Sequence, residues 1–204
     1  MEQSVHKPYQ VGIFLFDEVE VLDFAGPFEV FSIAEIASGV KCFNVHTMSA
    51  DGQPIAARGG LRVQPQYSFE QVPPLDLLLI PGGYGAEEIE LYKPEVLDWI
   101  RGYAEKGVQI ASVCTGALLL AEAGLLNGLH ATTHWMDLQR LKEQYPDVSV
   151  RAGVKFVDQG KIVTSGGISA GIHMSLYLVG RYYGMEVARM TAKRMEYDWE
   201  PEPE

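Results

Sequence analysis

Residues 11–16, VGIFLF, are apolar at every position. A strand with one face in water alternates polar and apolar residues, so an unbroken run like this belongs in a parallel sheet covered on both faces. Residues 76–80 (DLLLI) and 108–113 read as further buried strands, and 42–48 as another. Helical patterns fall between and after them. Val30, Ile33, Ala34 and Ala37 repeat at helical spacing after Pro27, which suits a first helical turn, and Gly39 can stop that helix. Pro94 opens a second helix with Leu97, Ile100 and Ala104 inward. Residues 154–157 and 162–164 read as a hairpin, and two helices finish the chain. Strands alternating with helices predict an α/β sandwich with a mostly parallel sheet.

Composition narrows what such a sandwich can do. The 204 residues are 47% hydrophobic, enough for one domain over 1–204, with flexible tails expected at about 1–9 and 198–204. A net charge of −11 opposes a nucleic-acid partner, because phosphate contacts need clustered Lys and Arg. The N-terminal MEQSVHKPYQ lacks an apolar core, and the run after it stops at Asp17 and Glu18. The apolar stretch 117–126 is interrupted by Glu122 and is too short to span a bilayer. These features predict a cytoplasmic protein without a membrane partner. Cys42 and Cys114 are too few for a disulfide framework. The five histidines show no ligand spacing, so no metal or other cofactor is expected.

Three segments carry residues capable of chemistry. In Ser112-Val113-Cys114-Thr115-Gly116 a thiol sits where a strand must reverse into a helix, between small residues two positions away on each side. That is the spacing of a nucleophile elbow, S-x-C-x-G in place of G-x-S-x-G. It exposes the sulfur beside a helix N-terminus, which favours the thiolate; a buried structural cysteine is the competing reading. Cys42, inside an apolar strand, reads as structural. Pro81-Gly82-Gly83 ends the buried strand 76–80, where glycine lets backbone N–H groups turn toward an oxyanion. No P-loop or dinucleotide fingerprint accompanies it. Asp23 lies just past the first strand, where it can cap the helix near Pro27 or face the ligand crevice; on the residues alone, capping leads. Glu87, Glu88, Glu90 and Glu95 read as solvated surface.

The blocks LFDEVEVLDFAGPFEVF, LLIPGGYGA, ASVCTGALLLAEAGLLNGLHATTHW and TSGGISAGIHMSLYLV resemble the ThiJ/PfpI superfamily, the glutamine-amidotransferase-like class. Within it they are most similar to the isonitrile (isocyanide) hydratases and to the N-terminal domains of AraC-type regulators. The resemblance runs from about residue 11 to 183, and its V-C-T-G-A and A-T-T-H-W blocks are the specific ones. It implies a flavodoxin-like α/β/α sandwich in which Cys114 is the nucleophile and Asp23 its acidic partner, an Asp where many relatives carry Glu. Gly83 and Thr115 match the positions whose backbone N–H groups form an oxyanion hole, and the Thr115 hydroxyl lies by the thiol. Gly82, Ile168 and His134 match pocket positions, His134 as a second hydrogen bonder or as the anchor of a local turn. Protease-like members place His after the nucleophile, and Thr115 stands there instead. His173-Met174-Ser175 lacks the acid of the glutaminase branch.

The resemblance therefore implies a cofactor-independent hydro-lyase that converts an isonitrile and water to an N-substituted formamide through a thioimidate on Cys114. The alternatives are a ligand- or oxidant-sensing domain without turnover and a glyoxalase- or deglycase-like enzyme. A chain of 204 residues leaves little room for a helix-turn-helix region after its last helix. Relatives of this kind are mostly homodimers, so a homodimer is expected. Asp23, if it donates a proton to sulfur, should depress the thiol pKa below its usual ~8.5; an ionised Asp23 should raise it. The expectation is a depressed value.

Overall fold

The computed structural model describes residues 7–201. The first strand, β1 (Tyr9–Phe14), leads through a turn into helix α1 (Val21–Ile33), and β2 (Phe43–Ser49) returns beside β1. Two short strands, β3 (Ile55–Ala56) and β4 (Arg62–Val63), pair with each other, and β5 (Tyr67–Ser68) extends the main sheet at its edge. Strand β6 (Leu77–Ile80) runs into the short helix α2 (Tyr84–Glu88), then α3 (Pro94–Glu105), β7 (Gln109–Ser112) and α4 (Gly116–Glu122). Next come β8 (His130–Ala131), a 3-10 turn at Trp135–Asp137, α5 (Leu138–Gln144) and β9 (Ser149–Val150). Strands β10 (Phe156–Asp158) and β11 (Ile162–Ser165) form a hairpin, and α6 (Ala170–Tyr183) and α7 (Met185–Arg194) close the chain.

The main sheet has the order β10-β11-β7-β6-β1-β2-β5 and is parallel except for β10. Val11, Ile13, Phe14, Leu77, Leu78, Leu79, Ile80 and Ile110 lose all contact with water, as continuous apolar strands in a two-sided sandwich require. Each such side chain stabilises the fold by ~1.5–3 kcal/mol relative to exposure. Among the described residues no helix is long and apolar enough to cross a membrane.

Three differences from the sequence expectations have local causes. Helix α1 begins at Val21, so Pro27 lies inside it and gives no N–H to the Asp23 carbonyl. The same helix stops at Ile33, because Ala34 turns to an extended backbone and its carbonyl accepts the Cys42 N–H at 2.9 Å. Within the expected tails 1–9 and 198–204, two described residues are held by the fold. Tyr9 pairs in β1 and Trp199 is 9% exposed in the core, while residues 1–6 and 202–204 lie outside the described chain.

The sheet's central strands reach the site through close backbone approaches. A methyl group on Gly116 would overlap the carbonyl oxygens of Ile80 and Pro81, so the β7–α4 turn presses on the end of β6 only with glycine at that position. Gly102, inside α3, has open space around the same direction. Gly116→Ala should cost ~2 kcal/mol or more, as overpacking does, whereas Gly102→Ala should stabilise by ~0.5–1 kcal/mol through helix propensity. Denaturant titration of the two variants checks the pair of signs.

Candidate functional site

Strand β7 delivers Cys114 to the carboxyl end of the sheet in a left-handed backbone conformation, φ 57°. Such a conformation costs a residue with a Cβ of the order of 1–3 kcal/mol and persists where its surroundings over-determine it. Here they do. The Cys114 N–H donates to Gly166 O at 3.1 Å and the Val113 N–H to Ile80 O at 3.0 Å. The Thr133 hydroxyl donates to the Cys114 carbonyl at 2.8 Å. Ser112 is completely buried, and a Cβ at Gly171 would stand 2.8 Å from Val113 Cγ1, so only small residues fit around the turn. The thiol-bearing residue itself is 6% exposed.

Asp23 projects from the first turn of α1 and is fully buried. It does not cap that helix, whose N-cap is Glu20 without a side-chain hydrogen bond. Its Oδ2 instead accepts the N–H of Gly82, 59 residues away in sequence, at 3.0 Å. The Cys114 thiol and the Ile168 N–H face the same carboxyl, and Oδ1 carries no hydrogen bond of ordinary geometry. Burial pushes the Asp23 carboxyl up to about 7, with a smaller push from the charge of Glu20, against the pull of the Gly82 N–H, the thiol and the Ile168 N–H.

The same burial pushes the Cys114 thiol up, and the charge of an ionised Asp23 adds to it. The N–H groups of Thr115 and Ile168 face the sulfur and work in the opposite direction. The expected depressed thiol pKa is therefore corrected. In a site this dry both ionised forms are disfavoured, and an acid next to the sulfur repels the thiolate unless it holds the proton. The arrangement is a carboxyl–thiol pair sharing one proton above pH ~7. A thiolate forms in this pair as the tautomer with the proton on Asp23 and the charge on sulfur, under the two N–H donors. Helix α4 is only seven residues long, so these nearby amides matter more than a helix dipole.

The remaining expected site residues are placed unequally. Gly82 lies against the pair: a Cβ there would be 2.5 Å from Thr115 N and 3.0 Å from Cys114 Cβ. Gly83, with φ 119°, does not offer its N–H to the crevice, because Thr115 Oγ1 accepts it at 3.0 Å. Ile168 also has a left-handed backbone, φ 54°, and it turns its N–H rather than only its side chain to the sulfur and Asp23. His134 stands one layer out. Its Nδ1 is 3.5 Å from Asp137 Oδ2, its carbonyl accepts the Asp137 N–H at 2.9 Å, and a Cβ at Gly167 would overlap its ring. Among the described residues no hydrogen bond joins His134 to Cys114 or Asp23.

Two acids read as solvated surface are not. Glu90 is 3% exposed and pairs with Lys93 at 2.9 Å. The Glu87 side chain is 25% exposed, and its carboxyl faces Thr115 on its inner side. Cys42 is buried with its thiol pushed up to about 11 by burial, as a structural cysteine should be. Among the described residues no group of three or more His, Cys, Asp or Glu side chains could hold a metal ion.

A mostly parallel α/β sandwich with a cysteine elbow and a buried carboxyl at its strand ends defines a class of proteins. A family model described as the DJ-1/PfpI family matches residues 9–181, and the chain belongs to that family. The chain is 34% identical over 193 residues to isonitrile hydratase of Pseudomonas putida, covering 92% of this chain and 78% of that one. It is 29% identical over 191 residues to the HTH-type transcriptional regulator GbdR of Pseudomonas aeruginosa, covering 94% of this chain and 51% of the regulator's length. Among solved structures, Drosophila melanogaster DJ-1beta superimposes with a TM-score of 0.82 at 21% identity, covering 94% of this chain and all of that one. A ThiJ/PfpI family protein from Pseudomonas syringae does so with a TM-score of 0.82 at 26% identity, over 97% of this chain and 77% of that one.

The buried pair gives two expected outcomes. Asp23→Asn removes the charge that opposes the thiolate, so the pH profile of Cys114 alkylation by iodoacetamide should move to lower pH, opposite to the shift expected from sequence. Stability should also lose a pH dependence. A carboxyl whose folded pKa is raised from 3.8 to about 7 contributes stability that is full below pH ~4 and is lost as pH rises through ~7. The wild type should therefore soften between pH 4 and 8 by up to ~4 kcal/mol, and Asp23→Asn should not. Urea midpoints at both pH values measure this.

Proposed function

We propose that this chain is a cofactor-independent isonitrile hydratase, converting R–NC and water to R–NH–CHO. The observation that carries the reading is the fully buried Asp23 facing a thiol held in the left-handed elbow; the similarity to the Pseudomonas putida enzyme supports it. Asp23 takes the thiol proton and the sulfur attacks the terminal isonitrile carbon. Asp23 returns that proton to the carbon, giving the thioimidate R–N=CH–S–Cys114. Water then adds its oxygen to the carbon, and the C=N electron pair moves to nitrogen, which is protonated. Asp23 removes the hydroxyl proton as the C–S bond breaks and the carbonyl forms. The reaction consumes one water, and the thiol and carboxyl return to their starting state.

In this reading the reacting carbon sits beneath the N–H groups of Thr115 and Ile168, and Thr115 contributes its hydroxyl as well. The Gly83 N–H joins them only if Thr115 Oγ1 lets it go. The exposed side chains of Trp135, Met136, Tyr84 and Ile168 are the apolar surface nearest in sequence to these groups, which suits an isonitrile with an aromatic or alkyl substituent. The site is cytoplasmic, and the protein a homodimer whose contact includes Leu22 of α1, exposed to 39%; a monomer mass in light scattering would overturn that part.

A second reading is favoured by the regulator GbdR, which matches 94% of this chain. There the domain senses a ligand or an oxidant, and Cys114 binds without turnover. Exposed low-pKa thiols oxidise most readily, and Cys114 is neither exposed nor low in pKa, which argues against oxidant sensing at neutral pH. The decisive assay incubates the protein with an aromatic isonitrile and follows the formamide. Turnover abolished by Cys114→Ser, and reduced by ~10²-fold or more in Asp23→Asn, is the expected result. No formamide above the Cys114→Ser control overturns the hydratase.

A further inference from the structure

The sheet that carries Cys114 at one end has a cleft at the other. The cleft runs below the N-terminal ends of four neighbouring parallel strands, β11, β7, β6 and β1, and reaches the last turn of α6. Its volume is about 540 Å³, which falls in the range of small-molecule sites. Three cations line it: Lys106 after α3, Lys161 before β11 and Arg181 in α6. Asp76, Gln109 and Tyr182 line it with them. In a chain of net charge −11 such a gathering of cations runs against the general surface.

The wall is rich in donors that the protein leaves unused. Lys106 makes no hydrogen bond or ion pair among the described residues, and its Nζ stands 5.3 Å from the centre of the Tyr103 ring. An ammonium has three donors and a guanidinium five. Lys161 spends one on the Gly107 carbonyl at 2.8 Å, and Arg181 Nη1 donates to Asp158 Oδ2 at 2.8 Å. The lining carboxylate, Asp76, already accepts the Gln10 N–H on Oδ2 at 2.8 Å. Lys106 and Arg181 also lie at helix C-termini, where a cation balances the helix dipole. That role does not account for Gln109.

Gln109 opens β7 and is 6% exposed. Its amide nitrogen is buried, and among the described residues nothing accepts its hydrogens. The buried Tyr182 hydroxyl is in the same condition, and burial pushes its pKa up to about 12, so it remains a donor. A buried donor without a partner costs stability, and a methionine of similar shape would fill the place of Gln109 without that cost. The terminal torsion of glutamine is soft, and half a turn exchanges the nitrogen with the amide oxygen. Turned in this way, the NH₂ group faces an acceptor held in the cleft.

We propose that this cleft binds a small molecule through an oxyanion, a phosphate or carboxylate group, held by Lys106, Lys161 and Arg181 with the Gln109 amide turned toward it. Asp76 suits a hydroxyl or N–H elsewhere on the same molecule. The site is separate from the cysteine crevice, because Gln109 and Cys114 lie at opposite ends of one strand, about 16 Å apart at ~3.3 Å per residue. It does not depend on the hydratase reading.

The test titrates the full chain with pyrophosphate and with citrate at constant ionic strength, followed by calorimetry and by melting temperature. At least one probe should bind and raise the melting temperature, and the tighter one tells phosphate from carboxylate as the anchoring group. Lys106→Ala and Gln109→Met should each weaken that binding by ~10-fold or more, the scale of one hydrogen bond to a charged group. Without a probe, Gln109→Met should melt at or above the wild-type temperature. The bound probe should leave iodoacetamide alkylation of Cys114 unchanged. No heat and no shift in melting with either probe overturns the site. Wild-type affinity in either variant, or protection of Cys114 by the probe, puts the anion elsewhere and overturns it as well. A lowered melting temperature in probe-free Gln109→Met gives the amide a structural bond and overturns its part in binding.

Discussion

The close approach of the β7–α4 turn to the end of β6 is the constraint on which the rest of the site depends. Backbone meets backbone there: Gly116 against the carbonyls of Ile80 and Pro81, and Gly82 against Thr115. No residue with a side chain fits at either point, so the elbow and the glycine turn must be built together. The approach brings the amides of residues 82 and 83 within reach of groups from two other elements, Asp23 on α1 and Thr115 at the start of α4. Without it Asp23 would be a buried acid lacking its hydrogen bond, an arrangement that costs several kcal/mol.

Burying that acid is expensive even with the Gly82 amide, as the upward push on its pKa records. A core of this size has no structural need for it. Fully buried Val11, Ile13, Leu78, Leu79 and Ile110 close the centre of the sheet without polar help. The cost makes physical sense if Asp23 must hold a proton near neutral pH. A carboxyl at its ordinary value is too weak a base to take a thiol proton, and one that titrates near 7 exchanges protons with sulfur more readily. The amides of Thr115 and Ile168 face the sulfur and favour charge on it, and the fold holds them in place, so no reorganisation is required of them.

Much of this was legible in the residues, and the boundary of legibility has a physical cause. The strands at 11–16, 76–80 and 108–113, the helix from Pro94 and the 154–164 hairpin each carry a local pattern, and the structure places β1, β6, β7, α3 and β10–β11 within a few residues of it. The elbow spacing is local too. Helix α2 and strand β9 escaped because five-residue and two-residue elements have no period to detect. Asp23 reads as a cap because capping is a local act, whereas its partner is Gly82 on another strand's end. The sign of the Cys114 shift could not be read at all, since it depends on how dry the pair is, and dryness belongs to the packed fold.

Glu87 shows the same limit from the opposite side. In PGGYGAEEIE it is one of several acids with no apolar period, and charge runs of that kind usually face water. Glu88 does remain partly open, its side chain 44% exposed, while Glu87, one residue earlier, turns to Thr115. What separates them is the direction in which a short helix leaves Gly83, whose φ of 119° few residues other than glycine adopt. The glycine therefore acts twice: its amide donates to the Thr115 hydroxyl, and its backbone angle sets the direction of the helix that turns Glu87 toward the same threonine.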